Sequence, residues 1–256
     1  MTWNPDIYNK FKTERYAPFY DLLNLCHTKP GIKGIDLGCG TGELTQKLAE
    51  YLTGAEITGI DSSKEMLNKA SAFENNRLKF FIRPIQDQIT EGTRWDLIFS
   101  NAALQWIDDH DRLIKDLILL LNKGGQLAIQ VPSNHDHFTH VFLKELALRE
   151  PYKSALSGWA RNSPVLTINE YANIFFQNGA TENIVFEKVY AHILKNSDEM
   201  FDWVSGTALI PYLERLPADS KEHFKNDYRK ELADRFKGSP VFYPFKRILM
   251  KASFGQ

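Results

Sequence analysis

A short glycine-rich segment carries the clearest chemical signal in the sequence. Gly38, Gly40 and Gly42 alternate with other residues, directly after an apolar stretch and directly before a helical pattern. Glycine reaches positive φ without strain and lets a ligand approach the backbone closely. The start of the following helix favours an anionic group. The segment predicts either a ligand-binding loop or a tight strand-to-helix turn without a ligand.

A carboxylate follows this loop at the spacing that a nucleoside site requires. Asp61 ends the next predicted strand, about twenty residues after Gly42. In a doubly wound sheet this position faces the ribose, and one carboxylate can accept hydrogen bonds from both ribose hydroxyls. Because loop and acid coincide, the sequence favours a nucleoside ligand over a turn without one.

The spacing of the glycines also separates two classes of nucleoside ligand. A dinucleotide fingerprint reads G-x-G-x-x-G/A, whereas here the third glycine comes one residue early and Glu43 takes the sixth position. A carboxylate at the start of a helix would repel a pyrophosphate. S-adenosylmethionine carries an amino acid instead of a phosphate and tolerates Glu43. A nicotinamide-dependent dehydrogenase is therefore the less favoured interpretation.

Strands and helices alternate from about residue 33 onward, which is typical of a doubly wound parallel sheet. Strands are predicted at residues 34–37, 57–60, 78–82, 95–100, 126–131, 183–194 and 247–250. Helices are predicted around Leu44–Leu52 and Met66–Ala70, at residues 109–122, 138–149 and 168–177, and from 197 to about 237. Ser62 and Glu65 form a predicted capping box. Residues 122–125 (NKGG) are predicted to end a helix and turn the chain.

We expect a single α/β domain over residues 1–256, with a mostly parallel seven-stranded sheet and a helical lid. Residues 31–194 and 246–254 form the predicted core sheet with its helices. Residues 1–25 are aromatic and charged and are predicted to form an N-terminal lid, with a surface helix as the alternative. Residues 197–245 are predicted to form a helical insertion that covers the substrate site.

Composition limits the partners and the compartment. The formal net charge of −1 lacks the basic footprint of a nucleic-acid-binding domain. No apolar run approaches the roughly 20 residues of a membrane-spanning helix, and the N-terminal residues do not resemble a signal peptide. The two cysteines, Cys26 and Cys39, suit a reducing compartment. We therefore expect a cytoplasmic protein with no nucleic-acid or membrane partner; its oligomeric state is left open.

Residues 36–42 (DLGCGTG) together with residues 59–61 (GID) resemble the class I S-adenosylmethionine-dependent methyltransferases. Further segments are similar to the members that methylate small polycarboxylates such as trans-aconitate: residues 3–5 (WNP), 101–106 (NAALQW), 139–141 (THV) and 202–204 (DWV). The resemblance implies a Rossmann-like fold. It also implies transfer of a methyl group from S-adenosylmethionine to a carboxylate oxygen, giving a monomethyl ester and S-adenosylhomocysteine.

The resemblance also implies site residues. Cofactor contacts are expected at Arg15, Asp36, Gly38, Cys39, Gly40, Asp61, Ser62, Met66, Ile85, Asp87 and Asn101. The family usually has an acid after the third strand that meets the adenine amino group. Here either Asp87 or the backbone near Ile85 takes that place. Asn101 has the alternative of capping the next helix.

Four residues are predicted to position the substrate: Arg15, Trp106, His140 and Arg247. Arg15 pairs with either the cofactor or the substrate, Trp106 lines the cavity or packs in the core, and Arg247 binds a carboxylate or lies on an exposed edge. Desolvated carboxylates need cationic partners. No general base is expected, because a carboxylate with a pKa near 4 is already ionised at neutral pH.

The sequence leaves two further interpretations open and raises the question of a metal site. A hydroxyl or malonyl-thioester acceptor is one alternative, and a non-catalytic nucleoside-binding module is the other. A hydroxyl acceptor would need a base, which only the cluster His135, His137 and His140 offers nearby. The same cluster has H-x-H spacing, but a closed zinc site needs three or four convergent ligands, so no metal is predicted.

Overall fold

A seven-stranded sheet organises the chain. The computed structural model describes residues 12–255, and the side chains of residues 16–255. The strands are β1 (Lys33–Leu37), β2 (Glu56–Asp61), β3 (Leu78–Ile82), β4 (Trp95–Asn101), β5 (Leu121–Pro132), β6 (Ala180–Leu194) and β7 (Val241–Phe254). Their order is β3-β2-β1-β4-β5-β7-β6. Strands β1 to β5 run parallel and β7 is antiparallel to β5, which confirms the predicted fold class.

Helices connect the strands. They are α1 (Lys12–Leu23), α2 (Glu43–Tyr51), α3 (Lys64–Ala70), α4 (Ile85–Glu91), α5 (His110–Leu119), α6 (Phe138–Ala147), α7 (Tyr152–Ala155), α8 (Ile168–Gln177), α9 (Ser197–Ser205), α10 (Ile210–Arg215) and α11 (Ala218–Arg235). Short 3₁₀ turns occur at Ser71–Phe73 and Leu104–Trp106. Helices α9 to α11 lie between β6 and β7 in the chain, as the sequence predicts.

The sheet is buried on both faces. On one face Ile98 and Ile129 belong to an apolar cluster that includes Leu113 and Leu117 of α5 and Phe175 of α8. On the other face, Phe19 of α1 meets Phe99 of β4 edge to face, with ring centroids 5.7 Å apart. Parallel strands covered on both faces are rich in β-branched and other apolar residues, which is why the predicted strands are short apolar runs.

The chain divides into two compact units. The sheet unit comprises Tyr16–Pro132, Pro164–Lys188 and residues 247–255. The helical unit comprises Ser133–Ser163 and Val189–Lys246, together with residues 12–15. A second apolar cluster fills the helical unit, with Phe142, Trp203, Tyr228 and Tyr243 among its buried aromatics. The predicted roles of residues 1–25 as a lid and of 197–245 as a cover stay predictions.

Two local predictions are wrong. Helix α3 is capped by Ser63, whose Oγ accepts from the Met66 N–H at 3.3 Å, so the N-cap lies one residue after Ser62 and the predicted capping box of Ser62 and Glu65 does not form. The Ser63 N–H donates to Asp61 Oδ1 at 2.8 Å. Because this bond holds Ser63 against the end of β2, the serine nearer the helix becomes the cap.

The prediction for residues 122–125 is also wrong. Helix α5 ends at Leu119, and these residues lie inside β5. The pairing with β4 passes from Trp95–Leu121 to Leu97–Gln126, so the extra residues of β5 bulge out of the ladder. Gly124 has φ +74°, which suits such a bulge. The glycines therefore interrupt a strand instead of ending a helix.

Helix α4 is absent from the predicted elements, and strands β6 and β7 are longer than predicted. Within the described part of the chain, no helix combines the length and apolar character that a bilayer-spanning helix requires.

Candidate functional site

The glycine loop is held against the end of β2 by backbone hydrogen bonds. The Gly38 and Cys39 N–H groups both donate to the Ile60 carbonyl, each at 2.9 Å. Gly38, Gly40 and Gly42 have φ values of +76°, +56° and +76°. L side chains rarely adopt this region, so the loop depends on glycine at all three positions.

The three glycines differ in what surrounds them. A Cβ on Gly38 would lie 2.2 Å from the Ala103 Cβ, and one on Gly42 would lie 2.7 Å from the Ala70 Cβ. A Cβ on Gly40 would meet nothing within 4 Å. Gly38 and Gly42 therefore allow close packing of the chain on itself. Gly40 borders open space, where a ligand can approach the backbone.

Asp61 joins this loop to the end of β2. Its Oδ2 accepts from the Gly40 N–H at 3.0 Å and its Oδ1 accepts from the Ser63 N–H at 2.8 Å. A carboxylate offers about four lone-pair sites, so acceptor capacity remains for two hydroxyl groups. A half-buried carboxylate fixed beside the open space at Gly40 fits the ribose of S-adenosylmethionine.

Asp36 lies beneath the loop and is 4% exposed. The Thr45 hydroxyl of α2 donates to its Oδ2 at 2.6 Å. Burial, together with the charge of Asp61, raises the pKa of Asp36 to about 7. Burial and the nearby Asp36 and Asp61 also raise the pKa of the Cys39 thiol. Cys39 therefore stays a protonated packing residue of the loop.

The predicted adenine-side residues follow β2 and β3. Ser62 is exposed and Met66 is half-buried on α3. Ile85 is buried and Asp87 is exposed, both in the first turn of α4. Both alternatives for meeting the adenine amino group, the Asp87 carboxylate and the backbone near Ile85, stay open predictions.

Asn101 ends β4 with a buried oxygen. Its Oδ1 is shielded from solvent and accepts no hydrogen bond from the described residues. The following 3₁₀ turn has Ala103 at its N-cap position and no side-chain cap, so the alternative role of Asn101 as a helix cap is wrong. A buried acceptor at the carboxyl end of a strand, next to the glycine loop on β1, fits a ligand contact.

The structure excludes one of the two interpretations of Trp106 and one of the two interpretations of Arg247. Trp106 is 41% exposed, so it does not pack in the core. Arg247 is 5% exposed, so it does not lie on an exposed edge. The Arg247 Nη1 donates to Gln130 Oε1 on the neighbouring strand β5 at 3.2 Å. Gln130 is fully buried and is not among the residues that the sequence predicts.

The histidine cluster belongs to the helical unit. His135 is exposed, and the His137 ring accepts from the Thr139 N–H as the cap of α6. His140 Nδ1 lies 3.1 Å from the Thr139 hydroxyl. Burial and the neighbouring histidines lower the pKa of His140 to about 4. Among the residues that the structure describes, no three His, Cys, Asp or Glu side chains converge as a metal site.

The side chain of Arg15 lies outside the described residues, as do residues 3–5. The predicted role of Arg15 therefore stays a prediction. The remaining loop and strand-end residues that the sequence predicts come together at the carboxyl ends of β1, β2 and β4.

Comparison with known proteins gives the family. A family model described as a methyltransferase domain matches residues 28–179. The YcgJ protein from Bacillus subtilis shares the fold, with a TM-score of 0.59, 16% identity, and coverage of 94% of this chain and 99% of that one. A phosphoethanolamine N-methyltransferase of Haemonchus contortus, solved with S-adenosylhomocysteine, has a TM-score of 0.54 and 17% identity, covering 94% of this chain and 53% of that one.

A curated relative shows a much closer relationship. The trans-aconitate 2-methyltransferase of Deinococcus radiodurans is 42% identical over 259 residues, covering 99% of this chain and 98% of its own. Identity at this level across both whole chains, together with the methyltransferase domain, shows that this chain is an enzyme of the trans-aconitate 2-methyltransferase family, within the S-adenosylmethionine-dependent methyltransferases.

Proposed function

We propose that this enzyme transfers the methyl group of S-adenosylmethionine to a carboxylate oxygen of trans-aconitate or a related small polycarboxylate. The products are a monomethyl ester and S-adenosylhomocysteine. The observation that carries the substrate is the end-to-end match to a relative named for this reaction. The observation that carries the cofactor is the Asp61 carboxylate, fixed by the Gly40 N–H beside open space.

The residues that would hold S-adenosylmethionine lie at the ends of β1, β2 and β4 and in the first turns of α3 and α4. Asp61 accepts from the ribose hydroxyls, and the backbone at Gly38–Gly40 approaches the amino-acid end. Asn101 offers its buried Oδ1 as an acceptor for the cofactor ammonium group. Ser62, Met66, Ile85 and Asp87 border the adenine. When bound, S-adenosylmethionine supplies an electrophilic methyl group on a sulfonium centre.

The chain's own contribution to the reaction is placement. The substrate carboxylate is ionised at neutral pH and is already the nucleophile. Holding it in line with the methyl group supplies about 7–11 kcal/mol as effective molarity. Arg247, Trp106, His140 and Arg15 are the proposed positioning residues. The lowered pKa of His140 keeps its ring neutral at pH 7, so it orients the substrate by hydrogen bonding.

Two measurements test this function. Titration calorimetry with S-adenosylhomocysteine is expected to give saturable binding that is strongly weakened in Asp61→Ala. Mass spectrometry after incubation with S-adenosylmethionine and trans-aconitate is expected to detect a monomethyl ester. Turnover with trans-aconitate no faster than with citrate would reject the substrate assignment.

The cytoplasmic location and the absence of nucleic-acid and membrane partners stay predictions of the sequence.

A further inference from the structure

Three polar side chains form a row across adjacent strands of the sheet unit. Asn101 of β4 pairs directly with Gln130 of β5, and Gln130 pairs with Leu249 of β7. Residues paired across strands project from the same face of a sheet, and residues two apart on a strand share a face. Asn101, Gln130 and Arg247 therefore lie on one face, near the carboxyl ends of β4 and β5.

The contact with Arg247 fixes the orientation of the Gln130 amide. A guanidinium group has five N–H donors and no acceptor, so the Gln130 atom that meets Arg247 must be the carbonyl oxygen. The amide nitrogen then points away from Arg247 with two N–H donors. This Nε2 is buried, and no described residue accepts a hydrogen bond from it.

A fully buried donor without an acceptor is uncommon, because buried polar groups normally find a partner. The Gln130 amide N–H groups lie beside the positive guanidinium group of Arg247, so the acceptor that this position favours is an anion with paired oxygens. Arg–carboxylate pairs have this geometry, and shielding from water strengthens it.

The positions of Gln130 and Arg247 across the sheet separate these two residues of the row from the cofactor. The glycine loop and Asp61 follow β1 and β2, whereas Gln130 and Arg247 lie on β5 and β7, beyond β4. Neighbouring strands are about 4.8 Å apart, so β5 is about 10 Å from β1. A methyl acceptor has to lie beside the methionine end of the cofactor, and Gln130 and Arg247 continue the row beyond Asn101, the residue proposed to meet that end.

We propose that Gln130 and Arg247 form a carboxylate clamp that binds a non-reacting carboxylate of the acceptor. Gln130 holds the guanidinium group through its Oε1 and donates to the carboxylate through its Nε2. The inference rests on the proposed function, because it takes a polycarboxylate as the acceptor. It makes Gln130 a specificity-determining residue for acids that carry a second carboxylate.

The test measures binding of trans-aconitate to the S-adenosylhomocysteine complex by calorimetry, and the KM and kcat of ester formation. Gln130→Met keeps the length of the side chain and removes the donor. We expect it to raise the Kd and KM for trans-aconitate about tenfold, as for the loss of one hydrogen bond to a charged group. The kcat and the affinity for S-adenosylhomocysteine are expected to change less than about threefold.

Gln126→Met is the matched control. Gln126 lies on the same strand and face, is buried, and bonds both backbone groups of His27, at 2.9 and 2.7 Å. It is expected to leave the trans-aconitate constants within about twofold of the wild type, because it lies four residues, about 13 Å, away from Gln130 along β5. Gln130→Glu keeps an acceptor for Arg247 but adds a negative charge that repels a carboxylate. The Kd of this variant for trans-aconitate is therefore expected to rise more than that of Gln130→Met.

Truncated acceptors make the test specific to a carboxylate. Three dicarboxylates each have one carboxylate of trans-aconitate replaced by a methyl group. We expect one of them to bind equally to the wild type and to Gln130→Met, because the carboxylate and its donor are then both absent. If Gln130→Met loses the same affinity for all three dicarboxylates, the clamp is wrong.

The remaining outcomes separate the clamp from the proposed function. If the wild type forms the ester and Gln130→Met binds trans-aconitate as tightly, the clamp is wrong and the function stands. If Gln130→Met weakens the binding of S-adenosylhomocysteine as much as that of trans-aconitate, Gln130 supports the fold or the cofactor site and the clamp is wrong. If the wild type neither binds nor methylates trans-aconitate, both fail. If Gln130→Met does not fold, Gln130→Glu decides by the same measurements.

Discussion

The two sides of the sheet's carboxyl edge differ in how their polar groups are satisfied. At β1 and β2, Asp61 accepts from the backbone at Gly40 and Ser63, and Asp36 accepts from Thr45. At β4 and β5, Asn101 Oδ1 and Gln130 Nε2 are buried and have no partner among the described residues. The first side is held in shape by the chain itself, whereas we propose that a ligand completes the hydrogen bonding of the second.

This difference has a consequence for mutations. Where the chain satisfies its own polar groups, substitutions change the stability and the cofactor affinity together. Where a ligand completes the bonding, substitutions change ligand affinity with a smaller effect on the fold.

Gly38→Ala is expected to have the largest effect. The new Cβ would lie 2.2 Å from the Ala103 Cβ at a φ of +76°. Overpacking costs about 1–3 kcal/mol and the left-handed backbone about 1–2 kcal/mol. Thermal unfolding and calorimetry should show a destabilised protein with at least tenfold weaker binding of S-adenosylhomocysteine.

Gly40→Ala is the control for Gly38→Ala. A Cβ on Gly40 would meet nothing within 4 Å, so only the strain of the left-handed backbone conformation applies there. The stability of Gly40→Ala is expected to fall by about 1 kcal/mol. Equal losses in the two variants would show that packing against Ala103 is not what requires Gly38.

Asp61→Asn tests the carboxylate with little change in shape. The amide keeps one acceptor oxygen but places an NH₂ group against either the Gly40 or the Ser63 N–H. Hydrogen bonds to charged groups contribute about 1.5–3 kcal/mol, so the affinity for S-adenosylhomocysteine is expected to fall about 10- to 100-fold. The Kd for trans-aconitate, measured at saturating S-adenosylhomocysteine, should stay within about threefold. A selective loss of trans-aconitate binding would contradict the division between the two sides.

The raised pKa of Asp36 predicts a pH dependence of stability. In the folded protein this carboxyl titrates at about 7, compared with 3.8 as its usual value. Between these pH values the folded state binds more protons than the unfolded state, so the stability falls as the pH rises through this window. Asp36→Asn is expected to remove this part of the pH dependence, about 2–3 kcal/mol between pH 5 and pH 8.

Unfolding in denaturant at several pH values measures this effect. Thr45→Val is the matched variant, because it removes the hydroxyl that lowers the pKa of Asp36 and leaves the burial. It should extend the window to higher pH. An unchanged pH dependence in Asp36→Asn would show that Asp36 titrates in its ordinary range.

The sequence predicts the first side of this edge well because its signals are local. The glycines, the strands beside them and Asp61 lie within one stretch of about twenty-five residues, and their spacing follows from one strand-to-helix turn. The errors there are small. Ser63 caps α3 instead of Ser62, because the neighbouring Asp61 holds the Ser63 backbone.

The second side is harder to predict because its meaning depends on residues far apart in the chain. Gln130 lies in an apolar strand and carries no motif, and its partner Arg247 is 117 residues away. Only the pairing of β5 with β7 brings them together. A glutamine inside a predicted central strand is the signal that the sequence offers, since such residues are rarely fully buried without a partner.

The bulge in β5 shows the same limit. The glycines at 124 and 125 look like the end of a helix, and the position of the helix end depends on pairing between Trp95 and Leu121. The pairing of Trp95 with Leu121 cannot be predicted from the spacing of residues in the sequence.

Ser100→Ala is expected to have the smallest effect, and it tests the link between the two sides. The buried Ser100 hydroxyl donates to the Leu37 carbonyl at 2.9 Å, joining β4 to β1 just before Asn101 and the glycine loop. Losing one such bond is expected to cost about 0.5–1.5 kcal/mol of stability. The affinities for S-adenosylhomocysteine and for trans-aconitate should remain within about twofold of the wild type, because β1 and β4 keep their backbone pairing. Ser205→Ala is the matched control, since the Ser205 hydroxyl donates to the Phe201 carbonyl within the helical unit. If Ser100→Ala weakens both ligands by one common factor and Ser205→Ala weakens neither, the two sides depend on this bond for their spacing. They would then be one site whose halves cannot be changed separately.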